Sequence, residues 1–220
     1  MPDVNLDLAR FNMVNQQIRP WEVLDPQVVE VLEKVPRERF VPSGYRNLAF
    51  SAIEIPIGHG ERTMFPAVEG RMLQSLAIGA SDMVLEVGTG TGFITALLAR
   101  LAKHVYSVEI HPDLLEGARG CLASLGISNV TLEQGDAAAG WDRHGPYDVI
   151  VLTGSVPEIP AAFLSNLRQG GRLFAVVGEP PVMEARLVTR VSEDAYARED
   201  LFETVLPPLV NAIPSQRFLF

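Results

Sequence analysis

The stretch from Val84 to Ala99, which reads VLEVGTGTGFITALLA, constrains the fold of this chain most strongly. Its first residues are typical of a buried strand and its last residues of an apolar helix. Three glycines in five residues separate the two, and glycine lets a ligand approach the backbone because it has no Cβ. A strand that leads through such a turn into a helix points main-chain N–H groups at the edge of the sheet. The stretch therefore predicts a site for a polar small molecule; the alternative is a tight turn that binds nothing.

The spacing of Gly88, Gly90 and Gly92 narrows the choice of ligand. A dinucleotide-binding loop needs G-x-G-x-x-G, but here the third glycine comes one residue early and Phe93 stands in its place. The loop also lacks the G-K-[ST] sequence of a P-loop. The form E-x-G-x-G-x-G, which begins at Glu86, resembles motif I of class I S-adenosylmethionine-dependent methyltransferases. That resemblance implies S-adenosylmethionine as the cofactor.

The composition fits one globular domain and disfavours several kinds of partner. The chain has 220 residues, of which 47% are hydrophobic, enough for a large core. Its net charge is −9 and no basic cluster offsets it, so we expect no nucleic-acid partner. The single cysteine, Cys121, excludes an internal disulfide and suggests a reducing compartment. Residues 1–7 do not resemble a signal peptide, and no apolar run approaches the roughly 20 residues that span a membrane. We therefore expect a cytoplasmic protein without a membrane partner.

Two helices are predicted before the glycine-rich stretch. Residues 5–19 carry apolar side chains at helical spacing, and Pro20 is expected to end that helix. Asp25 is expected to cap the second helix, with Pro26 at its first position. The apolar positions of the first helix are Leu8, Phe11, Val14 and Ile18. Two alternatives remain open: the helices form a lid or substrate-binding cap, or they only cover an edge of the sheet.

A histidine between two glycines, His59, lies in a loop that follows these helices. Gly58 and Gly60 predict unusual backbone angles there, and loops that precede a ligand-binding motif often carry function. A lone histidine in such a loop is more often structural than catalytic, so we assign no base role to His59. Residues 67–78 are predicted to form the next helix, which we expect Gly79 to end.

Acidic residues end two of the strands that follow the glycine loop. Residues 105–109 are predicted to form a strand, and Glu109 lies 21 residues after Gly88. A spacing of about 20 residues is typical of an acid that accepts hydrogen bonds from ribose hydroxyls. Asp136 follows the next predicted strand, residues 130–133, on the ligand side of an open α/β sheet. In methyltransferases this position commonly meets the adenine amino group.

Strands alternate with helices from residue 84 to residue 177, which is the pattern of a parallel, doubly wound sheet. The later predicted elements are helix 112–125, strand 147–152, helix 161–168, a turn at 169–171, strand 172–177 and a hairpin of strands 184–191 and 198–205. The fold class is therefore α/β: a Rossmann-like, mostly parallel sheet with a C-terminal antiparallel hairpin and an N-terminal helical cap. We expect residues 1–80 to form the cap and active-site loop of one domain, and residues 81–220 its cofactor-binding core.

Several segments, in the same order, resemble the protein-L-isoaspartate O-methyltransferase family over nearly the whole chain. They are MVNQQI at 13–18, VPRERFVP at 35–42, IPIGHG at 55–60, VPEIP at 156–160 and REDLF at 198–202. The resemblance implies an enzyme that methylates the α-carboxylate of isoaspartyl residues in damaged proteins and peptides. The methyl ester then cyclises to a succinimide, which reopens partly to aspartate. A carboxylate has a pKa near 4, so it needs no general base.

The active-site loop departs from the family's GQTISQP, whose serine contributes to the catalytic site. Aligned through Gly60 and Pro66, Met64 takes the position of that serine and Arg62 the position of the threonine. Methionine cannot donate a hydrogen bond, and Thr63 is the nearest hydroxyl. Arg62 either pairs with the acceptor carboxylate or is a solvated loop charge. Arg62, Thr63 and Met64 are the catalytic candidates.

The cofactor-binding candidates come from the glycine loop and the strand ends that follow it. They are Glu86, Gly88, Thr89, Gly90, Gly92, Glu109, Ile110, Gly135, Asp136 and Ala137. For Glu86 two roles stay open: orienting the amino group of the cofactor, or capping the N–H groups of the turn. The four histidines show no metal-ligand spacing, so we expect no metal. The altered loop leaves two alternatives, a methyltransferase with another carboxylate or protein acceptor and a non-catalytic cofactor-binding protein.

Overall fold

A computed structural model describes residues 5–212; the sequence features at residues 1–4 and 213–220 lie outside that range. The α-helices are α1 (Leu6–Met13), α2 (Pro26–Lys34), α3 (Pro66–Leu76), α4 (Phe93–Leu101), α5 (Pro112–Ser124) and α6 (Ala161–Ser165). The strands are β1 (Pro56–Gly58), β2 (Glu61–Arg62), β3 (Met83–Val87), β4 (His104–Glu109), β5 (Val130–Gln134), β6 (Tyr147–Leu152), β7 (Leu167–Glu179), β8 (Val182–Arg190) and β9 (Tyr196–Glu203). Within residues 5–212, no helix is both long and apolar enough to cross a lipid bilayer.

The main sheet has the strand order β5-β4-β3-β6-β7-β8-β9. Strands β3 to β7 pair in parallel, whereas β8 and β9 are antiparallel to their neighbours. The chain runs from β3 through β4 to β5 on one side and resumes at β6 on the other side of β3. This arrangement confirms the predicted Rossmann-like fold with its C-terminal antiparallel hairpin. The short strands β1 and β2 form a separate hairpin.

The central strands are buried on both faces of the sheet. Val84 and Val149 belong to a core cluster that includes the helices α2, α3 and α4. Their neighbours Leu85 and Ile150 belong to a second cluster on the other face, together with Phe163 of α6. Successive strand residues point to opposite faces, so a strand covered on both faces must be apolar throughout. The continuous apolar runs in the sequence follow from this.

The first helical segment is longer and less regular than predicted. After α1 ends at Met13, the chain makes a π-helical turn at Val14–Ile18 and a 3₁₀ turn at Arg19–Trp21. Pro20 therefore lies near the start of the 3₁₀ turn that closes the segment, and the prediction that it ends the helix is wrong. Proline is tolerated at the start of such a turn, because an N–H at that position would have no partner in the turn.

The amphipathic pattern of this segment holds only for its second half. Val14 and Ile18 are fully buried, whereas Leu8 and Phe11 are each 55% exposed. The π-helical turn packs against α3, while the exposed positions lie in α1. The helical spacing of the four apolar residues therefore does not correspond to one continuous buried face.

The second helix begins as predicted. The carboxylate of Asp25 accepts hydrogen bonds from the main-chain N–H groups of Gln27 (2.8 Å) and Val28 (3.4 Å), and Pro26 is the first helical residue. Helix α2 packs against α3 and α4, and buries Val28, Val31 and Leu32. The N-terminal helices therefore form part of the helical layer on one face of the sheet.

Helix α3 ends earlier than predicted because a distant arginine stabilises its end. Ala77, not Gly79, takes the left-handed conformation that ends the helix, with φ 44°. Arg172 of β7 donates hydrogen bonds of 2.9 Å to the carbonyl oxygens of both Leu76 and Ala77. These carbonyls have no partner inside the helix, so the guanidinium satisfies them. Local sequence cannot reveal a partner that lies almost a hundred residues away.

Helix α6 is also shorter than the predicted helix 161–168. The segment 169–171, predicted as a turn, lies within β7, which begins at Leu167. The pairing between β6 and β7 shifts there, because Tyr147 pairs with Leu167 but the next pair is Val149 with Arg172. The two glycines of this segment therefore form an irregularity within the strand.

Candidate active site

A crevice opens at the carboxyl edge of the sheet, beside β3. Strand β4 lies on one side of β3 and β6 on the other, so the loops that follow these strands diverge and leave a gap between them. The crevice contains about 950 Å³ of empty space, open solvent included. Its walls are the glycine loop, the ends of β4, β5 and β6, the β1–β2 hairpin and residues 206–210. Among the described residues, none before Ile57 lines it, which favours a covering role for α1 and α2 over a lid.

The glycine loop is held against the end of β4. The main-chain N–H of Gly88 donates to the carbonyl oxygen of Val108 (2.8 Å), and that of Gly90 donates to Oε2 of Glu109 (2.7 Å). Gly88 has φ 94°, and a Cβ there would collide with the hydroxyl of Thr153. A side chain at this position would therefore be strained and would also displace the loop after β6.

Glu86 lies beneath the loop rather than in the crevice. Its side chain is 0% exposed, and Oε2 accepts hydrogen bonds from Thr95 (2.6 Å) and Ser107 (2.5 Å). Burial raises the pKa of Glu86 to about 8, although the two hydroxyls oppose this shift. The carboxylate that binds a loop N–H is Glu109, so the capping role left open for Glu86 is wrong. Its contact with the cofactor stays a prediction, because Glu86 does not line the crevice.

Thr89 connects this buried network to the crevice. Its hydroxyl lies 2.6 Å from the hydroxyl of Ser107, which in turn donates to Glu86. Thr89 lines the crevice, as predicted for a cofactor-binding residue. Thr89 is therefore two hydrogen bonds away from the buried carboxyl group.

Glu109 offers hydrogen-bond acceptors at the floor of the crevice. It is buried at the end of β4, where Oε1 accepts from the main-chain N–H of His111 (3.0 Å) and Oε2 accepts from Gly90. Each carboxylate oxygen has two acceptor positions, so both can still accept from a ligand hydroxyl. Ile110, the next residue, contributes an apolar wall.

Gly135, Asp136 and Ala137 line the crevice after β5, as predicted. Oδ1 of Asp136 accepts from the main-chain N–H of Ala138 (3.0 Å). Its Oδ2 accepts from Nδ2 of Asn211 (2.9 Å), a residue that the sequence analysis did not single out. The carboxylate is thereby held in one orientation beside the crevice.

Gly92, like Glu86, is a cofactor-binding candidate that does not line the crevice. It precedes α4 with φ 89°. A Cβ on Gly92 would stand 3.0 Å from Cβ of Ala118 in α5. Gly92 therefore allows α4 and α5 to pack closely, and its contact with the cofactor stays a prediction.

The three catalytic candidates lie together on another wall of the crevice. Oγ1 of Thr63 accepts a hydrogen bond from the main-chain N–H of Ile55 (2.9 Å), which leaves the hydroxyl proton free to donate. Arg62 is exposed at the end of β2, and within residues 5–212 it forms no ion pair. Met64 is only 5% exposed. The arrangement therefore presents one cation and one hydroxyl to an acceptor.

A buried ion pair supports this wall from behind. Arg37 and Glu69 are each 2% exposed and pair directly. Arg37 also donates to the carbonyl oxygen of Met64 (3.2 Å) and lies 4.6 Å from the ring centre of Phe93. Burial raises the pKa of Glu69, and the charge of Arg37 opposes that shift. The sequence marked Arg37 only as part of a segment that resembles the family, and no spacing rule could have paired it with Glu69.

Residues 206–210, the C-terminal strap, form a wall that sequence reasoning missed. Ser155 holds the strap: its hydroxyl donates to the carbonyl of Leu206 (2.9 Å), and its N–H donates to the carbonyl of Pro207 (2.8 Å). Leu209 in turn donates its N–H to the carbonyl of Ser155 (2.9 Å). A Cβ on Gly154 would stand 2.8 Å from Cδ2 of Leu209. Glycine and serine at these positions therefore suit this strap.

The crevice fits a ligand that combines hydroxyl and amino groups with an apolar ring. Glu109 and Asp136 supply acceptors, and Ile110 supplies an apolar surface. His111 also lines the crevice, and its buried Nε2 has no hydrogen-bond partner within residues 5–212. In the same part of the chain, no group of three or more His, Cys, Asp or Glu side chains is arranged to hold a metal ion.

A doubly wound sheet with a glycine loop after β3 and acids after β4 and β5 defines a Rossmann-like, nucleoside-binding protein of the class I methyltransferase type. The family model for protein-L-isoaspartate(D-aspartate) O-methyltransferase (PCMT) matches residues 10–213. The chain therefore belongs to this family, which confirms the resemblance seen in its sequence.

Named relatives agree with this assignment. The chain is 39% identical to protein-L-isoaspartate O-methyltransferase 2 of Pelobacter propionicus, over 94% of this chain and 93% of the relative. It is 41% identical to protein-L-isoaspartate O-methyltransferase of Protochlamydia amoebophila, over 90% of this chain and 95% of the relative. Two solved structures share the fold, each with a TM-score of 0.79. One is a protein-L-isoaspartate O-methyltransferase (24% identity, 93% of this chain, 67% of the other). The other is a putative Plasmodium falciparum enzyme in complex with S-adenosyl-L-homocysteine (17% identity, 94% and 99%).

Proposed function

We propose that this chain is an S-adenosylmethionine-dependent protein carboxyl O-methyltransferase that methylates the α-carboxylate of L-isoaspartyl residues. The proposed activity and cofactor are supported by family membership and by relatives that match along almost their whole length. One structural observation supports the site. The glycine loop, Glu109 and Asp136 line the same crevice as Arg62 and Thr63. The substrates are damaged proteins and peptides. The alternatives left open by the altered loop are not favoured by these relatives.

The residues around the glycine loop would hold the cofactor. Glu109 would accept from the ribose hydroxyls, Asp136 would accept from the adenine amino group, and the apolar Ile110 would lie against the ring. The loop from Gly88 to Gly90 lets the backbone approach the ligand closely. When bound, S-adenosylmethionine supplies an electrophilic methyl group on a sulfonium.

The acceptor needs little chemical assistance from the protein. Its carboxylate has a pKa near 4 and is ionised at neutral pH, so no side chain must remove a proton. Arg62 would pair with this carboxylate, and the Thr63 hydroxyl would donate a hydrogen bond to it. Met64 contributes an apolar surface, since it cannot donate. The chain therefore acts mainly by positioning the acceptor.

Two segments would exclude water from the reacting groups. The β1–β2 hairpin covers the glycine loop, since Cδ1 of Ile57 lies 3.2 Å from the point where a Cβ on Gly90 would stand. The C-terminal strap also lines the crevice, with Leu209 against Gly154. Water near the sulfonium would weaken the electrostatic contacts that orient the acceptor.

The proposal is tested by methyl transfer from radiolabelled S-adenosylmethionine to a synthetic isoaspartyl peptide. The same peptide with a normal aspartyl residue is the matched control. We expect transfer to the isoaspartyl peptide only, and a product ester that is labile to base. Absence of transfer above the blank would overturn the proposed specificity.

A further inference from the structure

The tip of the β1–β2 hairpin is attached to the first turn of α5 by His59. Its Nε2 lies 2.9 Å from each carboxylate oxygen of Asp113, and its ring stacks on His111 with centroids 4.0 Å apart and planes 9° from parallel. The hydrogen bond from His59 lowers the pKa of Asp113, so Asp113 is ionised and the imidazole donates. Asp113 lies in the first turn of α5, where the helix dipole favours a negative charge.

The hairpin needs such an attachment because it is very short. Strand β1 has three residues and β2 has two, and a two-stranded hairpin is marginally stable at best by itself. At its base, Thr63 and Ile55 bond to each other. Among the described residues, the bond from His59 to Asp113 is the one side-chain hydrogen bond that joins residues 56–62 to another element.

This attachment connects the two halves of the crevice. On the hairpin side, the chain continues from His59 through Glu61 to Arg62, which would meet the acceptor. On the helix side, His111 lines the crevice, and its main-chain N–H donates to Glu109, which would meet the cofactor. The stacked rings therefore join the hairpin that carries Arg62 to the segment that carries Glu109.

We propose that His59 is a positioning residue for methyl transfer: its contacts with Asp113 and His111 hold the β1–β2 hairpin, and with it Arg62, over the crevice. This inference rests on the proposed function for its effect on the acceptor. Holding the hairpin also affects cofactor binding, which can be measured without activity, because the same hairpin covers the glycine loop through Ile57. Loosening the hairpin would let a bound nucleoside leave faster.

The experiment compares Asp113→Ala, which removes the partner of His59, with Asp113→Asn, which keeps an acceptor for the imidazole N–H. Asp113 is exposed, so neither variant threatens the fold. His59→Gly removes the ring and suits the left-handed backbone at φ 54°. His104→Ala is the control, because His104 begins β4 at the opposite edge of the sheet. The readouts are the KM and kcat for the isoaspartyl peptide and the dissociation rate of S-adenosylhomocysteine.

For Asp113→Ala we expect the peptide KM and the dissociation rate each to rise roughly two- to fivefold, as for loss of one exposed hydrogen bond. In Asp113→Asn the peptide KM and the dissociation rate should both stay close to those of the natural chain. Adding Asp113→Ala to His59→Gly should have no further effect, because both remove the same contact. Unchanged KM and dissociation rate in Asp113→Ala, or additive effects in the double variant, would overturn the inference. If the natural chain transfers no methyl group, the proposed function fails, and the dissociation rates still decide whether His59 holds the hairpin.

Discussion

Asn211 donates a hydrogen bond of 2.9 Å to Asp136, the carboxylate that would bind the adenine amino group. Oδ1 of Asp136 is already bonded to the N–H of Ala138, so the two partners fix both oxygens of the carboxylate. Asn211 directly follows the C-terminal strap. The end of the crevice at Asp136 and the strap are therefore mechanically linked.

The first prediction concerns this link. Asn211→Asp would place a second carboxylate against Asp136, and repulsion across a surface pair weakens binding by roughly threefold or more at low salt. We expect the Kd of S-adenosylhomocysteine to rise accordingly by calorimetry, and the effect to shrink in 0.5 M salt because of screening. Asn211→Ala, which removes the bond without adding charge, should have a smaller and salt-independent effect. Equal effects in the two variants would contradict this account.

The second prediction concerns the strap. In Gly154→Ala the new methyl group would stand 2.8 Å from Cδ2 of Leu209, so the strap must shift. Overpacking of this kind costs about 1–3 kcal/mol, which should appear in urea unfolding, with weaker binding of S-adenosylhomocysteine. Gly120→Ala in α5 is the matched control, because nothing lies within 4 Å of its added Cβ. That variant should be neutral or slightly stabilising.

The third prediction concerns the acceptor. Arg62→Gln should raise the KM for the isoaspartyl peptide about tenfold, the effect of losing one charge-assisted hydrogen bond. Affinity for S-adenosylhomocysteine should stay within about twofold, since Arg62 is not among the residues that would hold the cofactor. Arg119→Gln, which alters an exposed arginine on α5, should change neither constant. An unaltered KM in Arg62→Gln would identify Arg62 as a solvated loop charge.

The fourth prediction follows from the pKa of Glu86, which burial raises to about 8. In the unfolded chain a glutamate ionises near pH 4.3, so between these values the folded state holds the extra proton. The free energy of unfolding should therefore fall as the pH rises, by up to about 1.4 kcal/mol per pH unit from this group, until about pH 8. Below pH 4 its contribution should be constant.

Glu86→Gln isolates this effect, because the amide is neutral and its oxygen can still accept from Thr95 and Ser107. Urea unfolding of the variant at pH 5 to 8 should lack this downward slope, so its advantage over the natural chain should grow with pH. Glu116→Gln, at an exposed glutamate of α5, should leave the slope unchanged. Parallel pH profiles for Glu86→Gln and the natural chain would contradict the prediction.

The parts of the site that sequence could predict depend on short-range rules. Gly88 and Gly90 are separated by one residue, and Glu109 ends the next strand, so strand-turn-helix logic brings them to one edge of the sheet. The same rule placed Asp136 beside them. Each of these residues lines the crevice.

The parts that it missed depend on contacts between distant segments. Arg172 binds the last carbonyl of α3 from a strand almost a hundred residues away, and Ser155 binds the strap that lines the crevice. The packing of Gly92 against Ala118 is likewise a contact between separate segments. Periodicity and spacing carry no information about such partners.

Arg37 contacts three separate parts of the chain through one guanidinium: Glu69 of α3, the carbonyl of Met64 and the ring of Phe93. Without Arg37, Glu69 would remain as a buried, uncompensated charge behind Met64, and the free energy of unfolding would fall by several kcal/mol. A loop built with other residues at 62–64 would keep its position only if its backbone still met the guanidinium of Arg37. The loop and the segment around Arg37 are therefore one structural unit, although 27 residues separate Arg37 from Met64.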